Sequence, residues 1–456
     1  MKCPKDRPYD LIKKVYKILQ PFQKMLIGFS GGLDSTVLLH ILTKIRRLRR
    51  TNMELRAIHI NHNLQKKSKL WEFHCKKICE LWKVKFLSRN VIVRSNDGGT
   101  ESASRAVRYK EIRRVLLPRE VVLVAHHIDD QAETFFLSLK RGSGPSGLSC
   151  MRFITPFYDT KIIRPFLSFE KRQLKRYAEM NNLSWIDDES NFKDIFDRNF
   201  LRIHVVPILN DRWPYFTSSI FKSAELCRKQ EELVSELIEP YFLNVLDHKD
   251  GTLKIKKLLN FSTVKRDAVI RRWFKFHNLS NPSQRQLHAL WNNVICTKRD
   301  SQPELIVSNR HVIRKFQDSL FCCQKFIEFD EDDLIWNLSD DITLPGDLGR
   351  LTVSYGRRMY SQKEGVINRV RKPRVDEIVF IRFKIKRKKK VRVVGQKNRS
   401  MKEIWKQHKV APWMRRRIPL IFYDSKLITM LDYFVTEEGD VSPSVENDQI
   451  YIRWIK

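Results

Sequence analysis

The sequence predicts an α/β domain built on a parallel sheet covered on both faces, then a helical domain, then a small α+β domain. Three observations predict this. Apolar runs alternate with helical patterns as far as Leu209, long amphipathic helices follow, and beyond Asp330 the texture turns to short β-rich pieces. The anticipated domains are 1–212, 213–330 and 331–456.

Each element has its own reason. Lys24 to Phe29 (KMLIGF) is a short apolar run ending in small residues, and Leu33 to Leu48 carries apolar residues at helical spacing, so strand then helix is expected. The pattern returns with Glu54 to Ile60 before Ser68 to Trp82, with Lys85 to Val91 before Glu101 to Leu116, and with Val121 to Ala125 before Asp129 to Leu139. Repeated strand and helix pairs argue for a parallel sheet whose ligands bind outside the carboxyl ends of the strands. Phe216 to Leu246 reads as one or two amphipathic helices with Ile220, Ala224, Cys227, Val234, Leu237 and Ile238 on an apolar stripe. The helical domain is expected to reach about Ile306 and to include Gln284 to Cys296. Ile342 to Leu344, Arg350 to Val353, Val379 to Phe383 and Leu420 to Phe422 read as strands of the last domain.

Composition narrows the partners. The chain has 456 residues, room for about three domains, and 87 Lys+Arg against 52 Asp+Glu give a formal charge of +35. Self-repulsion of that size destabilises a compact state unless an anion offsets it, so a polyanion is the first suspect. No apolar run is long enough for a membrane span and no secretory leader is visible, so a cytoplasmic protein with no membrane partner is expected. The 8 cysteines are scattered and none forms C-x-x-C, which fits neither a disulfide framework nor a zinc ribbon. Cys75 and Cys79, one helical turn apart, read as half-buried helix residues.

Ser30-Gly31-Gly32-Leu33-Asp34-Ser35 falls between the first strand and helix. Paired glycines let the backbone approach a ligand and aim N–H groups at it, and the helix start adds the positive end of a dipole. With the hydroxyls of Ser30 and Ser35 this is an anion cradle, and Asp34 is placed to hold Mg²⁺ between phosphate oxygens. A Gly-rich turn with an Asx-type cap is the plainer alternative for the bare glycine pair. The Lys of a Walker loop is absent. The complete string resembles the pyrophosphate loop of the PP-loop ATP pyrophosphatases. That resemblance implies a Rossmann-like fold and activation of a substrate oxygen by adenylation.

A second constellation, Ala125-His126-His127-Ile128-Asp129-Asp130-Gln131-Ala132-Glu133-Thr134, begins at a strand end and runs into a helix. Asp129, Asp130 and Glu133 crowd one turn, which is costly unless a cation, Mg²⁺ or a substrate ammonium, lies among them. Arg141 to Leu148 (RGSGPSGL) follows as a glycine-rich loop.

The run from Ala125 to Met151 resembles the tRNA(Ile)-lysidine synthetase family, as do further segments in order: His59-Ile60-Asn61-His62, Thr100 to Tyr109, Arg164-Pro165-Phe166-Leu167, Asp188 to Asn191, Arg198 to Arg202, Lys402 to Trp405, and Val410 to Leu420. The resemblance implies ATP and Mg²⁺ as cofactors and ATP binding by Ser30, Gly31, Gly32, Leu33, Asp34, Ser35 and His62. It implies lysine binding by His126, Asp130 and Glu133, with Arg105 or Arg108 pairing with a phosphate or the lysine carboxylate. Asp34, His126, Asp130, Glu133, Arg105 and Arg108 are thus the implied catalytic set. Free lysine and tRNA(Ile) with a CAU anticodon are the implied partners. A homodimer is compatible with the sequence, which does not itself set the oligomeric state.

Between Arg382 and Arg417 only Glu403 is acidic, and Phe383, Trp405 and Trp413 are interleaved with the basic residues. Charge with interleaved aromatics reads as an RNA footprint, although a charge run can also be a solvated face. Arg198, Arg202, Lys388, Lys389, Lys390, Arg399, Lys402, Trp413, Arg415 and Arg416 are the expected tRNA contacts. Arg46, Arg47, Arg49 and Arg50 end a helix, where they complement its dipole or touch RNA. Two other readings stay open: a PP-loop tRNA cytidine thiolase, against which the missing C-x-x-C counts, and a non-catalytic RNA-binding protein, against which the retained acidic and histidine residues count.

Overall fold

The computed structural model describes residues 8–49, 52–61, 68–91, 100–188, 194–298, 301–330, 332–355, 366–385, 390–441 and 448–456. It divides into two compact units, Met1–Glu236 and Leu237–Lys456. Among the described residues no helix is long and apolar enough to cross a membrane.

The first unit alternates as its apolar runs anticipate: α1 (Pro8–Leu19), β1 (Lys24–Gly28), α2 (Leu33–Leu48), β2 (Glu54–Asn61), α3 (Ser68–Leu81), β3 (Lys85–Asn90), α4 (Thr100–Val115), β4 (Glu120–Leu123) and α5 (Ile128–Lys140). There follow α6 (Pro145–Leu148), the hairpin β5 (Ile154–Phe157) and β6 (Thr160–Ile163), α7 (Lys171–Met180), α8 (Asp197–Phe200), a π turn (Leu201–Val205), α9 (Val206–Arg212) and α10 (Phe216–Val245).

The strand order is β3-β2-β1-β4-β6-β5, with only the β5–β6 pair antiparallel. Central β1 is flanked by β2 and β4 in parallel register, Ile27 opposite Ala57 and Leu123. Its Met25, Leu26 and Ile27 are all fully buried, because both faces are covered. Met25 and Ile27 point into a core with Val15 of α1, Ile41 of α2, Cys75 of α3 and Tyr177 of α7. Leu26 points to the opposite face, where Ile58, Val122 and Ile162 meet Ile112 of α4. Truncating such a side chain to alanine costs about 2–5 kcal/mol. Cys75 and Cys79 are fully buried rather than half-buried, and burial pushes both thiols up to about 12.

Two expectations change. Phe216–Val245 is one helix, but Val234 and Leu237 of its anticipated stripe are exposed while Ile220 and Ala224 are buried. The middle region also contains a five-stranded antiparallel sheet, ordered Leu246–Asp247, Thr252–Lys254, Ser319–Gln324, His311–Phe316 and Glu304–Ile306. That sheet closes over the helices Thr263–Phe276 and Gln284–Leu290 around Phe242, Trp273 and Leu290. Ser262 and Ser283 cap the two helices, accepting from the N–H groups of Lys265 and Gln286.

The second unit has another hydrophobic core, formed where a five-stranded and a four-stranded antiparallel sheet share Leu351, Val370, Ile381, Leu420, Ile421 and Ile452. The anticipated strands are present as Ile342–Thr343, Arg350–Ser354, Val379–Arg382 and Leu420–Tyr423.

Candidate active site

A cavity of about 580 Å³ opens at the carboxyl ends of β1, β2 and β4, entirely within the first unit. The turn from β1 into α2 forms one wall. Gly31 has φ of +83°, and Gly32 is the extended N-cap of α2, so that helix begins with its free N–H groups at the cavity. A Cβ on Gly31 would lie 2.8 Å from the Cys75 sulfur, so both conformation and space require glycine here. Ser30 and Ser35 hydroxyls lie 3.1 Å apart, and the Ser35 hydroxyl donates to the Gly32 carbonyl at 3.0 Å. The Ile186 N–H donates to the Gly31 carbonyl at 2.9 Å, which brings Asp187 and Asp188 to the same cavity.

The second wall is the start of α5. His127 is its N-cap and is 2 % exposed. Its backbone N–H donates to Asp130 Oδ2 at 2.9 Å, a cap that folds the carboxylate back over the helix end. Its ring is the hub of three carboxylates: Nε2 lies 3.6 Å from Asp34 Oδ2 and 3.6 Å from Asp130 Oδ2, and Nδ1 lies 3.2 Å from Asp129 Oδ2. Burial alone would strip its proton, but Asp130, Asp129 and Asp34 together hold its pKa well above the usual imidazole range. Burial likewise opposes the charge on Asp130, yet His127 keeps that carboxyl well below the usual range. His126 lines the cavity with a buried Nδ1 that has no hydrogen-bond partner, and burial lowers its pKa to about 4.

The crowded carboxylates therefore meet cations supplied by the chain itself. Glu133, 1 % exposed, accepts from Arg198 Nε at 2.8 Å and from Arg202 at 2.7 Å (Nε) and 3.1 Å (Nη2). Burial and Asp130 push the Glu133 pKa up, while Arg202 and Arg198 oppose them. The structure thus departs from two expectations: the Glu133 carboxylate faces guanidiniums rather than a vacant ammonium site, and Arg198 and Arg202 are engaged by carboxylates rather than presented to RNA. Arg202 also lines the cavity, its Nη2 3.5 Å from Asp130 Oδ1.

Of the other expected residues, Arg108 lines the cavity beside Tyr109, and Arg105 is exposed with its guanidinium 5.7 Å from the Tyr109 ring centre. His62, Lys388, Lys389 and Arg50 lie outside the described residues. His127 and Asp187 were not singled out from the sequence, and Asp129 was expected only as one of three crowded carboxylates. An N-cap position followed three residues later by an acid was the available signal for His127. Arg46 donates to the carbonyls of Trp82 and Lys83 at 2.9 and 3.1 Å, so it closes the end of α3.

In the second unit the interleaved aromatics are not a stacking row. Phe383 is 1 % and Trp405 7 % exposed, both inside the core, because the strand and helix that carry them turn their apolar sides inward. Trp413 is half-buried, its ring centre 5.6 Å from Phe321 and 6.0 Å from Phe316. Lys390, Lys402 and Arg416 are exposed, Arg399 pairs with Gln407, and Arg415 donates to the Val410 carbonyl at 3.3 Å.

A PP-loop domain model matches residues 8–209, a TilS substrate binding domain model matches 253–321, and a TilS substrate C-terminal domain model matches 379–454. The tRNA(Ile)-lysidine synthase of Photorhabdus laumondii is 40 % identical over 427 residues, 93 % of this chain and 93 % of its own. That of Proteus mirabilis is 40 % identical over 445 residues, 97 % of this chain and 98 % of its own. A dipole-backed glycine loop facing a buried histidine–carboxylate hub, in a chain matched along nearly its whole length at this identity, leaves one assignment: the chain belongs to the tRNA(Ile)-lysidine synthase family.

Proposed function

We propose that this chain joins lysine, through its ε-amine, to C2 of the wobble cytidine of tRNA(Ile) with a CAU anticodon, forming lysidine and releasing AMP and pyrophosphate. The observation that carries this reading is one cavity lined both by the Ser30 to Ser35 loop and by His126 and Asp130. Such a cavity can hold a nucleotide phosphate chain and a cationic amine side by side.

The cytidine carbonyl oxygen is a poor leaving group until it carries AMP. In the first step that oxygen attacks the α-phosphorus of ATP and pyrophosphate departs. The loop N–H groups and the start of α2 stabilise the charge that builds on the phosphates. Asp34 would hold Mg²⁺: its Oδ1 is buried without a hydrogen-bond partner while Oδ2 faces His127, and Mg²⁺ typically takes one or two carboxylates plus substrate phosphates. When bound, the ion would neutralise phosphate charge.

In the second step the ε-ammonium gives a proton to solvent, the neutral amine forms a bond to C2 and loses a second proton, and the C2–O bond breaks as AMP departs. Asp130 lines the cavity with Oδ2 accepting from the His127 N–H and Oδ1 only loosely held, 3.5 Å from Arg202, so Oδ1 is the carboxylate oxygen to take the lysine ammonium. Glu133 would bind that ammonium only if Arg202 were displaced. Its role in this reading is to hold Arg202 at the wall, where Arg202 or Arg108 can meet the lysine carboxylate or a phosphate. The exposed Lys390, Lys402 and Arg416 hold the tRNA backbone. The domains 1–212, 213–330 and 331–456 are proposed as adenylating, substrate-binding and basic tRNA-binding parts.

The test is to incubate a tRNA(Ile) transcript bearing CAU with ATP and labelled lysine. Label in the RNA, matched by one AMP and one pyrophosphate per lysine, is expected. Binding of the tRNA with no ATP-dependent label would sink the reading.

A further inference from the structure

From Asp197 to Arg212 the chain runs as one helical stretch, α8, the π turn and α9, and its outward face carries large apolar side chains. Arg198 and Arg202 point inward to Glu133, with buried Val206 beyond them. Phe196, Phe200 and Ile208, at multiples of four residues, point outward. Phe196 at the N-cap is 43 % exposed, Phe200 48 % and Ile208 68 %, and His204 between them is exposed as well. The Phe200 and His204 ring centres are 5.3 Å apart, so they form a short continuous aromatic surface. A π turn within a helix is uncommon and often marks a functional site. Here it contains Arg202, which lines the cavity, and it ends two residues before Pro207, which cannot donate a backbone hydrogen bond.

We propose that this outward face is a stacking surface for the unpaired tRNA nucleotides flanking the reacting cytidine. The inference rests on the proposed function, since that reading puts the cytidine in the cavity walled by Arg202. That helix is only about 10 Å across, so nucleotides joined to the cytidine are within reach of its outer face. Unpaired bases that leave their own stack need replacement surfaces, and exposed aromatic rings provide them with little regard to base identity. The charge of the chain, +35, favours an anionic nucleic acid over a second copy of this equally basic protein as the occupant.

The test uses the full-length protein and tRNA(Ile) transcripts carrying 2-aminopurine immediately 5′ or 3′ of the reacting cytidine. Binding to the unsubstituted protein is expected to change the 2-aminopurine fluorescence. Phe200→Ala is expected to remove that change and to weaken tRNA binding roughly tenfold, and adding Phe196→Ala to weaken it by a similar factor. Phe200→Tyr, which keeps a ring, is expected to retain both signals. The salt dependence of binding should keep its slope, because every basic residue that meets a phosphate is still in place. Wild-type tRNA affinity and fluorescence in the double alanine variant would overturn the inference, as would a loss seen only in self-association measured by sedimentation. Absence of lysidine formation by the unsubstituted protein would instead overturn the proposed function.

Discussion

Replacing Glu133 with glutamine tests what the buried carboxylate does. The side chain is nearly inaccessible, and it neutralises Arg198 and Arg202, whose side chains are 19 % and 30 % exposed. Breaking a fully buried pair costs about 3–5 kcal/mol, but these guanidiniums can partly reach water, so a loss of about 2 kcal/mol is expected. For a unit of this size that lowers the melting midpoint by roughly 4–8 °C. Arg202, released from its main partner, has Asp130 Oδ1 already 3.5 Å away. It should close on that carboxylate and compete with the lysine ammonium, raising the lysine KM roughly tenfold for each 1.4 kcal/mol of competition. Calorimetry and lysine titration at saturating ATP and tRNA read the two effects. An unchanged midpoint with a raised KM would mean that Glu133 binds lysine itself and does not hold Arg202.

Gly31→Ala forces an L residue to φ of +83° and puts a methyl group 2.8 Å from Cys75 Sγ. Together these cost about 2–4 kcal/mol, so ATP KM should rise strongly, and adding Cys75→Ala should recover only the steric share. His40 donates to or accepts from the Tyr177 hydroxyl at 3.0 Å, and burial lowers its pKa to about 4. The unfolded chain takes up the proton near 6.5, so the unfolded state binds more protons between those values and stability falls as pH drops through that window. Unfolding midpoints measured from pH 7 to 4 should lose part of that slope in His40→Gln. Replacing Lys390, Lys402 and Arg416 with glutamine should weaken tRNA binding at low salt and lower its salt slope by about one for each phosphate no longer neutralised, leaving ATP KM unchanged.

Much of the first unit was legible because its strands are short apolar runs buried on both faces, punctuated by small residues. Leu33 to Leu48 is helical over the expected span, since Gly32 starts it and its apolar spacing never breaks. The hairpin joining His311–Phe316 to Ser319–Gln324 has only a weak turn signal, because Gln317, at φ of +53°, is neither glycine nor asparagine and only Asp318 beside it favours a turn. The site was half legible. Ser30 to Ser35 announces itself locally, whereas the role of His127 depends on Asp34, brought beside it by the β1–β4 pairing. Arg198 and Arg202 look like RNA contacts in a basic chain, and only the folded position of Glu133 shows where their charge goes. Trp405 looks like a base platform in the sequence because sequence alone does not show which side of Met401–Gln407 faces the core.

In the proposed reaction one cavity activates the cytidine and then delivers lysine to it. The most direct measurement is to mix protein, tRNA(Ile) and ATP labelled in the α-phosphate, without lysine, and to look for label on the RNA after rapid quenching. Labelled AMP is expected on the tRNA, chased into free AMP when lysine is added, with one lysidine formed per AMP released. Label found on lysine, with none on the tRNA before lysine addition, would contradict it.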